Sequence, residues 1–290
     1  MKFENYNFIG IFDSGIGGVS ILNSTIKLMP NENYIYFADS NNFPYGTKSI
    51  EAITNIGLDI LSHFNDLHSK EVIIACNTMS TSNMPLFKKS FKNMNIIGTF
   101  PDFTTIFKKT NNIISNKTIY FDKINGIKVK KNKLKLLIIA TSATVKSQYL
   151  KKLIETFKNV IDIYIEPADF IVKAVESDNL ENFEFNNNLS RLFKEYYDID
   201  YLMLGCTHFP HAEKYINKYI NKNTKIITGG DIASYNAYNY LLNSNFFCYN
   251  SNPNISVIDN SINEKKIALY MKLIKSDTHN IKFYHTFNEI

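Results

Sequence analysis

The sequence predicts an α/β protein of two pseudo-symmetric lobes with largely parallel sheets, the active site lying in the cleft between them. Three observations lead there. Short apolar runs alternate with amphipathic stretches, the pattern of parallel strands layered with helices. Several of those runs end in a small or polar cluster that opens the next helix: DSGIGG at 13–18, CNTMSTS at 76–82, TSATVKS at 141–147 and CTHFPH at 206–211. Open α/β sheets bind ligands outside the carboxyl ends of their strands, where helix N-termini also offer unpaired N–H groups to anions. Finally, EVIIACNTMS and DYLMLGCTHF share one order: acidic residue, apolar run, small residue, Cys, then a hydroxyl within two positions. That weak repeat implies two related halves whose strand ends face a shared cleft.

Taken in order, the strand candidates are FIGIFD (8–13), YIYFAD (34–39), EVIIAC (71–76), NIIGTF (95–100), KLLIIAT (135–141), IDIYIE (161–166), DYLMLGC (200–206) and TKIIT (224–228). Helical spacing appears between them. Segment 17–29 carries Val19, Ile21, Leu22, Ile26 and Leu28 on a broad face, and 49–65 places Ile53, Ile56, Leu58, Ile60, Leu61 and Phe64 similarly. The third, 145–158, shows Tyr149, Leu150, Leu153, Ile154 and Phe157. A chain of 290 residues exceeds the usual size of one hydrophobic core, so two domains are expected. Pro101 and Pro210 mark crossovers near 98–102 and 210–214. The first lobe then comprises 1–98 plus 212–290, and the second, 99–211, is an insertion.

Composition narrows the function classes. The hydrophobic fraction of 44% and charged fraction of 20% are those of an ordinary globular protein. The richest apolar run, LKLLIIA ending at Ala140, is too short to cross a bilayer. The segment MKFENYNFIGIFDSG lacks the apolar core and cleavage site of a secretory signal, so no membrane partner and cytoplasmic residence are expected. Net charge is +5 with the basic residues dispersed. The densest cluster, KVKKNKLK at 128–135, reads as a solvated hairpin or surface loop. With no recognition motif beside it, no nucleic-acid partner is expected. Cys76, Cys206 and Cys248 are odd in number and far apart, which fits a reducing compartment rather than a disulfide framework. The absence of CxxC argues against a thioredoxin pair or a zinc knuckle.

Cys76 and Cys206 each end a strand and precede a helix. Removing the α-proton of an amino acid and returning one to the opposite face needs a base on one side and an acid on the other. Thiols suit the task when helix N-termini or cationic neighbours stabilise the thiolate. Such a pair titrates as a unit, one thiolate with one thiol. The alternative for each is a buried small hydrophobe, and Cys248, in LLNSNFFCYNS, is left to it. Cys76 and Cys206 differ in being followed by donors, Asn77 and Thr78, and Thr207 and His208. Other residues have plain readings too. Asp13 can cap the following helix, Gly15, Gly17 and Gly18 can shape a tight turn, and Pro44-Tyr45-Gly46 can be a turn.

The blocks IGIFDSGIGG (9–18), FPYGTKS (43–49), IIACNTMS (73–80) and LGCTHFPH (204–211) closely resemble the signature blocks of bacterial glutamate racemases, within the aspartate/glutamate racemase superfamily. They come in the family's order and spacing, and the likeness extends with lower fidelity to about residue 240. The resemblance implies a cofactor-independent two-base racemase that interconverts L- and D-glutamate and supplies D-glutamate for peptidoglycan, and so for cell wall biogenesis and cell shape. It makes Cys76 and Cys206 the two bases, with Asp13 and His208 assisting the cysteines of their sides. It places substrate contacts at Asp13, Ser14, Pro44, Tyr45, Gly46, Asn77, Thr78, Thr207 and His208. Glutamate is the small-molecule partner, no cofactor or metal is implied, and a homodimer is compatible with the pattern.

This chain departs from the family's pattern in places. The block after the fourth strand reads IIGTFPDFTT (96–105) where a glutamate-proline pair is usual, and the family's GDT is ADS (38–40). Segment 165–177, IEPADFIVKAVES, retains a proline and puts Glu176 at a position often acidic. The lysine-bearing stretch 117–133 reads as a loop peculiar to this branch. Three competing readings remain: aspartate racemase or a related superfamily isomerase, a non-catalytic amino-acid binder, and a metal site built from Cys76, Cys206, His208 and Asp13. The last lacks the usual close Cys spacing.

Overall fold

The structure is a computed structural model that describes residues 8–104 and 133–290. The expected loop at 117–133 therefore lies almost wholly outside the described residues, as does most of the basic cluster at 128–135. Strands are numbered in chain order. β1 (Phe8–Asp13), β2 (Asn33–Ala38), β3 (Glu71–Ile74) and β4 (Asn95–Gly98) start the first sheet. The chain then builds β5 (Leu134–Ala140), β6 (Ile161–Pro167), β7 (Tyr201–Gly205) and β8 (Lys225–Thr228) into a second, and returns for β9 (Asn254–Asp259) and β10 (Asn280–Tyr284). The orders are β10-β9-β2-β1-β3-β4 and β6-β5-β7-β8. Every pairing described is parallel. This is the expected two-lobed α/β architecture, and all eight expected strands form within a residue or two of their sequence limits.

The second crossover differs from expectation. The chain does leave the first sheet after Gly98, but Lys225–Thr228 pairs alongside β7, so the strand at 225–228 belongs to the second sheet rather than to a first lobe resuming at 212. Pro210 sits in a 3-10 turn, Phe209–Ala212, that starts a helical segment off the end of β7, a position its fixed φ suits. It marks the end of a strand rather than a change of sheet. The return to the first lobe comes with the helix Gly229–Ser244, which follows β8 directly. β9 and β10, which extend the first sheet beyond β2, were not among the expected strands.

The helical spacing at 17–29 and 49–65 matches two helices of the structure. The helices among the described residues are α1 (Val19–Leu28), α2 (Ile50–Asp66), α3 (Asn77–Ser90), α4 (Ser142–Lys146), α5 (Gln148–Phe157), α6 (Asp169–Glu176), α7 (Phe183–Phe193), α8 (Glu213–Ile216), α9 (Gly229–Ser244) and α10 (Glu264–Leu273). The single helix expected over 145–158 is instead two. Ser147 is extended, and its hydroxyl accepts the N–H of Leu150 to cap α5, an N-cap that ends one helix and starts the next. In α5, Leu150, Leu153 and Phe157 are buried against the second sheet's Leu136, Ile138 and Met203. Each such side chain contributes about 1.5–3 kcal/mol by leaving water.

Along β1, alternate side chains point to opposite faces, as a strand requires. Ile9 and Ile11 join a core shared with α1, while Phe8 and Phe12 join one beneath α2. The first of these cores is continuous with residues of the second lobe, including Leu137, Ile139, Ile171, Val175, Leu204 and Phe209. The two sheets are thus packed so that the carboxyl ends of β1, β3 and β7, which carry Asp13, Cys76 and Cys206, meet at one seam. Among the described residues, no helix is long and apolar enough to cross a membrane.

Candidate active site

Cys76 follows β3 and occupies the N-cap position of α3. The backbone N–H groups of Met79 and Thr78 are directed at its sulfur. Burial nevertheless pushes the Cys76 thiol well up, and the charge of Asp13 adds to the effect, outweighing those N–H groups. Cys76 is therefore held with its proton. Asp13, the last residue of β1, is fully buried. Its carboxylate accepts the Thr207 hydroxyl at 2.7 Å and the Ser14 N–H at 2.8 Å. Burial raises its pKa, against the pull of His208 and of these hydrogen bonds.

Cys206 follows β7, with its sulfur 3.6 Å from Nδ1 of His208. Nε2 of His208 lies 2.7 Å from Oε1 of Glu176. Burial disfavours the charged imidazole, but the hydrogen bonds to Cys206 and Glu176 win, and its pKa stands well above the ordinary value. Glu176 closes the chain of contacts. Burial pushes its pKa up, yet the bond to His208, with help from the Ile16 N–H at 2.8 Å, leaves it net lowered. An ionised Glu176 and a protonated His208 thus stand on the Cys206 side, and a buried carboxylate stands on the Cys76 side.

All eleven residues singled out from the sequence line one small cavity of about 30 Å³: Asp13, Ser14, Pro44, Tyr45, Gly46, Cys76, Asn77, Thr78, Cys206, Thr207 and His208. The structure adds Phe43, Thr141, Thr144 and Val172. Thr141 and Thr144 belong to the TSATVKS cluster at the end of β5, which the sequence marks as a strand-ending turn but to which it gives no role. Their hydroxyls lie 3.1 Å apart, and each is 3.3 Å from that of Thr78. This hydroxyl triad spans the seam between the lobes, well disposed toward a carboxylate. Phe43 opens the FPYGTKS block and Val172 lies within the segment 165–177, but the sequence gives neither a role of its own. A larger open groove of about 930 Å³ adjoins the cavity and shares Asn77, Cys206 and Thr207 with it, but does not reach Cys76 or Asp13. Among the described residues, no three His, Cys, Asp or Glu side chains are arranged to hold a metal ion. Cys248 is half-buried, and its backbone N–H bonds Glu32, next to β2's amino end and so away from both thiols.

The glycine-rich segment after β1 does more than turn. No described glycine has a positive φ, so left-handed backbone is not what selects them. A Cβ on Gly15 would run into the carboxylate of Glu176, and one on Gly17 into the imidazole of His208. The glycines let the first lobe's backbone lie directly on the second lobe's acid–base groups. Contacts on either side keep the fit: Ser20 Oγ donates to the Thr207 carbonyl at 2.8 Å, and His211 Nε2 lies 3.1 Å from the Gly17 carbonyl. Gly17→Ala is expected to displace His208 and lower kcat/KM by about 10²-fold, the size of effect an ångström of misplacement produces. Steady-state kinetics on folded variant protein check this, and wild-type kcat/KM would refute it.

No family model matches the chain. A glutamate racemase from Clostridium botulinum (strain Alaska E43 / Type E3) is 33% identical over 273 residues, covering 92% of this chain and 97% of the relative. A glutamate racemase from Buchnera aphidicola subsp. Schizaphis graminum is 35% identical over 230 residues, covering 76% and 80%. Among solved structures, the glutamate racemase from Campylobacter jejuni subsp. jejuni superposes with a TM-score of 0.71 at 26% identity, covering 91% of this chain and 97% of that one. That from Francisella tularensis in complex with D-glutamate gives 0.75 at 24%, covering 98% and 99%, and so matches the fold. With the thiols, their flanking blocks and the two-lobed fold in place, likeness of this extent shows that the chain belongs to the glutamate racemase family and is an amino-acid racemase.

Proposed function

We propose that the chain interconverts L- and D-glutamate without a cofactor, Cys76 and Cys206 acting as the two bases on opposite faces of the α-carbon. One observation carries this reading: both buried thiols line a single cavity, each with its own ionisable partner, Asp13 by Cys76 and His208 by Cys206. In one direction Cys206, paired with the imidazolium of His208, takes the α-proton while Cys76 delivers its own to the opposite face. In the other direction the roles reverse, and the thiol–thiolate pair is regenerated inverted. Supply of D-glutamate for peptidoglycan is the role this activity would serve.

The remaining polar groups suit the substrate's ends. Asn77 lines the cavity, and its buried Oδ1 has no partner among the described residues, an acceptor fit for the substrate ammonium. The hydroxyls of Thr78, Thr141 and Thr144 fit a carboxylate. Ser14 and Gly46, from the two loops of the first lobe, line the cavity beside them. Closure of the two lobes over a bound amino acid would exclude water from the carbanion-like transition state.

Purified protein given each enantiomer of glutamate and of aspartate, with no cofactor added, tests the reading by circular dichroism. Glutamate of either hand is expected to lose its ellipticity, with aspartate slower by roughly 10–200-fold, the discrimination one methylene supports. Faster turnover of aspartate would make the chain an aspartate racemase. Binding of glutamate without isomerisation would make it a binding protein.

A further inference from the structure

We propose that Asn260, from the C-terminal part of the first lobe, is a positioning residue for the substrate loop, acting through Asp39 on Tyr45. β9 pairs with β2 so that Asp259 lies opposite Ala38, which brings the next residues, Asn260 and Asp39, together at the carboxyl ends of their strands. Asn260 uses both ends of its amide there. Its Nδ2 donates to Asp39 Oδ1 at 3.1 Å, and its Oδ1 accepts the Asn41 N–H at 2.9 Å. The second oxygen of Asp39 accepts the Tyr45 hydroxyl at 2.9 Å. Asp39 and Tyr45 are 3% and 1% exposed, so this bond lies in the interior, where its geometry is strongly held.

Asp39 has no ion-pair partner among the described residues. Its carboxylate is supported by neutral donors alone: Tyr45, Asn42 at 3.1 Å and Asn260. Removing one leaves a buried carboxylate short of a donor, a costly change in a low-dielectric interior. The consequence falls on Tyr45 and Gly46, which line the cavity. Lys266 fastens the same turn from the same segment, reaching Ser40 Oγ at 2.5 Å while paired with Asp259 at 2.8 Å. The C-terminal strand and helix thus hold the loop 39–46 in place from outside, and Asn260 is the member that reaches the Asp39–Tyr45 bond.

The kinetic part of the test rests on glutamate being the substrate, and the amide-exchange part does not. Asn260→Ala is expected to raise KM for glutamate about tenfold with kcat within about twofold, since the loop binds substrate rather than moving the proton. In a Tyr45→Phe background the same substitution is expected to change KM less than about twofold, because residues acting in one chain of contacts are non-additive. Amide exchange of segment 41–48, measured without substrate, is expected to accelerate about tenfold in Asn260→Ala, the loss of local protection that freed backbone bonds produce. If Asn260→Ala does not fold, the isosteric Asn260→Asp keeps the acceptor for Asn41 and replaces the donor to Asp39, and it carries the same expectations. Unchanged KM and exchange, a kcat loss with KM unmoved, or full additivity with Tyr45→Phe each overturns the proposal. A wild type that ignores glutamate overturns the proposed substrate instead, and exchange alone then decides the role of Asn260.

Discussion

Cys76→Ala and Cys206→Ala are each expected to lower glutamate racemisation at least ~10³-fold, within the range that loss of a positioned general acid or base produces. The size follows from the absence of a substitute. Asp13 lies on the Cys76 side, but its carboxylate is already engaged by Thr207 and Ser14. His208 lies on the Cys206 side, its ring held between Cys206 and Glu176. Neither can take over proton transfer without breaking the contacts that place it. The fold is expected to survive, because each alanine removes only one buried sulfur at the cavity wall. Deuterium incorporation in D2O makes the test specific. A one-base variant can exchange the α-proton of a single enantiomer without inverting it, so exchange confined to opposite enantiomers in the two variants is the expected result. Wild-type racemisation by both variants would end the two-base reading.

Much of this site is legible in the sequence for a physical reason. In a parallel α/β sheet, strand-ending turns are where function collects, and DSGIGG, CNTMSTS and CTHFPH announce themselves as apolar runs stopped by small polar residues. Periodicity gives the faces of the helices, and the repeat around Cys76 and Cys206 gives the opposition of two halves. What periodicity cannot give is tertiary proximity. Glu176 sits at the end of α6, far in sequence from both thiols, and only the fold brings it 2.7 Å from His208. Thr141 and Thr144 show their turn but not the hydroxyl of Thr78 facing them. The reason for Gly15 and Gly17 was equally hidden. The sequence suggests a turn, whereas the backbone there is free of positive φ and the glycines serve interlobe contact. Pro210 misleads in the same way, since a helix-opening proline and a domain crossover look alike in one dimension. NISVID at 254–259 is short and flanked by Asn and Ser, so its pattern is weak by itself. Its place beside β2 is fixed by pairing, and that pairing is what delivers Asn260 to Asp39.

At the opposite, amino ends of the strands, Lys70→Ala is expected to destabilise the first lobe by about 3–5 kcal/mol, the cost of leaving a buried charge without its partner. Lys70 Nζ lies 2.6 Å from Glu32 Oε2, with both side chains almost wholly buried. Glu32 is fixed further, its Oε1 accepting the Cys248 N–H at 2.6 Å and its carbonyl meeting His279 Nε2 at 3.0 Å. It cannot swing out to water when the lysine goes. Glu71 lies beside the pair, its Oε1 without a partner among the described residues. Burial lifts its pKa to about 8, helped by Glu32 and opposed by Asn95 and Lys70. The sign of the pH effect follows. From the unfolded carboxyl's range near 4.5 up to about 8 the folded chain holds the extra proton, so stability falls as pH rises through that window and then levels. Without Lys70 the folded pKa of Glu71 moves higher still, and the fall continues past pH 8. Urea unfolding at pH 6 and pH 9 is therefore expected to show a larger loss in Lys70→Ala at the higher pH. A paired change, Glu32→Gln with Lys70→Met, keeps an acceptor for the Cys248 N–H, removes both charges and is expected to recover most of the loss. Equal stability of Lys70→Ala and wild type at both pH values would show that water reaches Glu32. The kcat/KM of folded Lys70→Ala is expected to stay at the wild-type value, because the strands of the first sheet separate this ion pair from the thiols at their far ends.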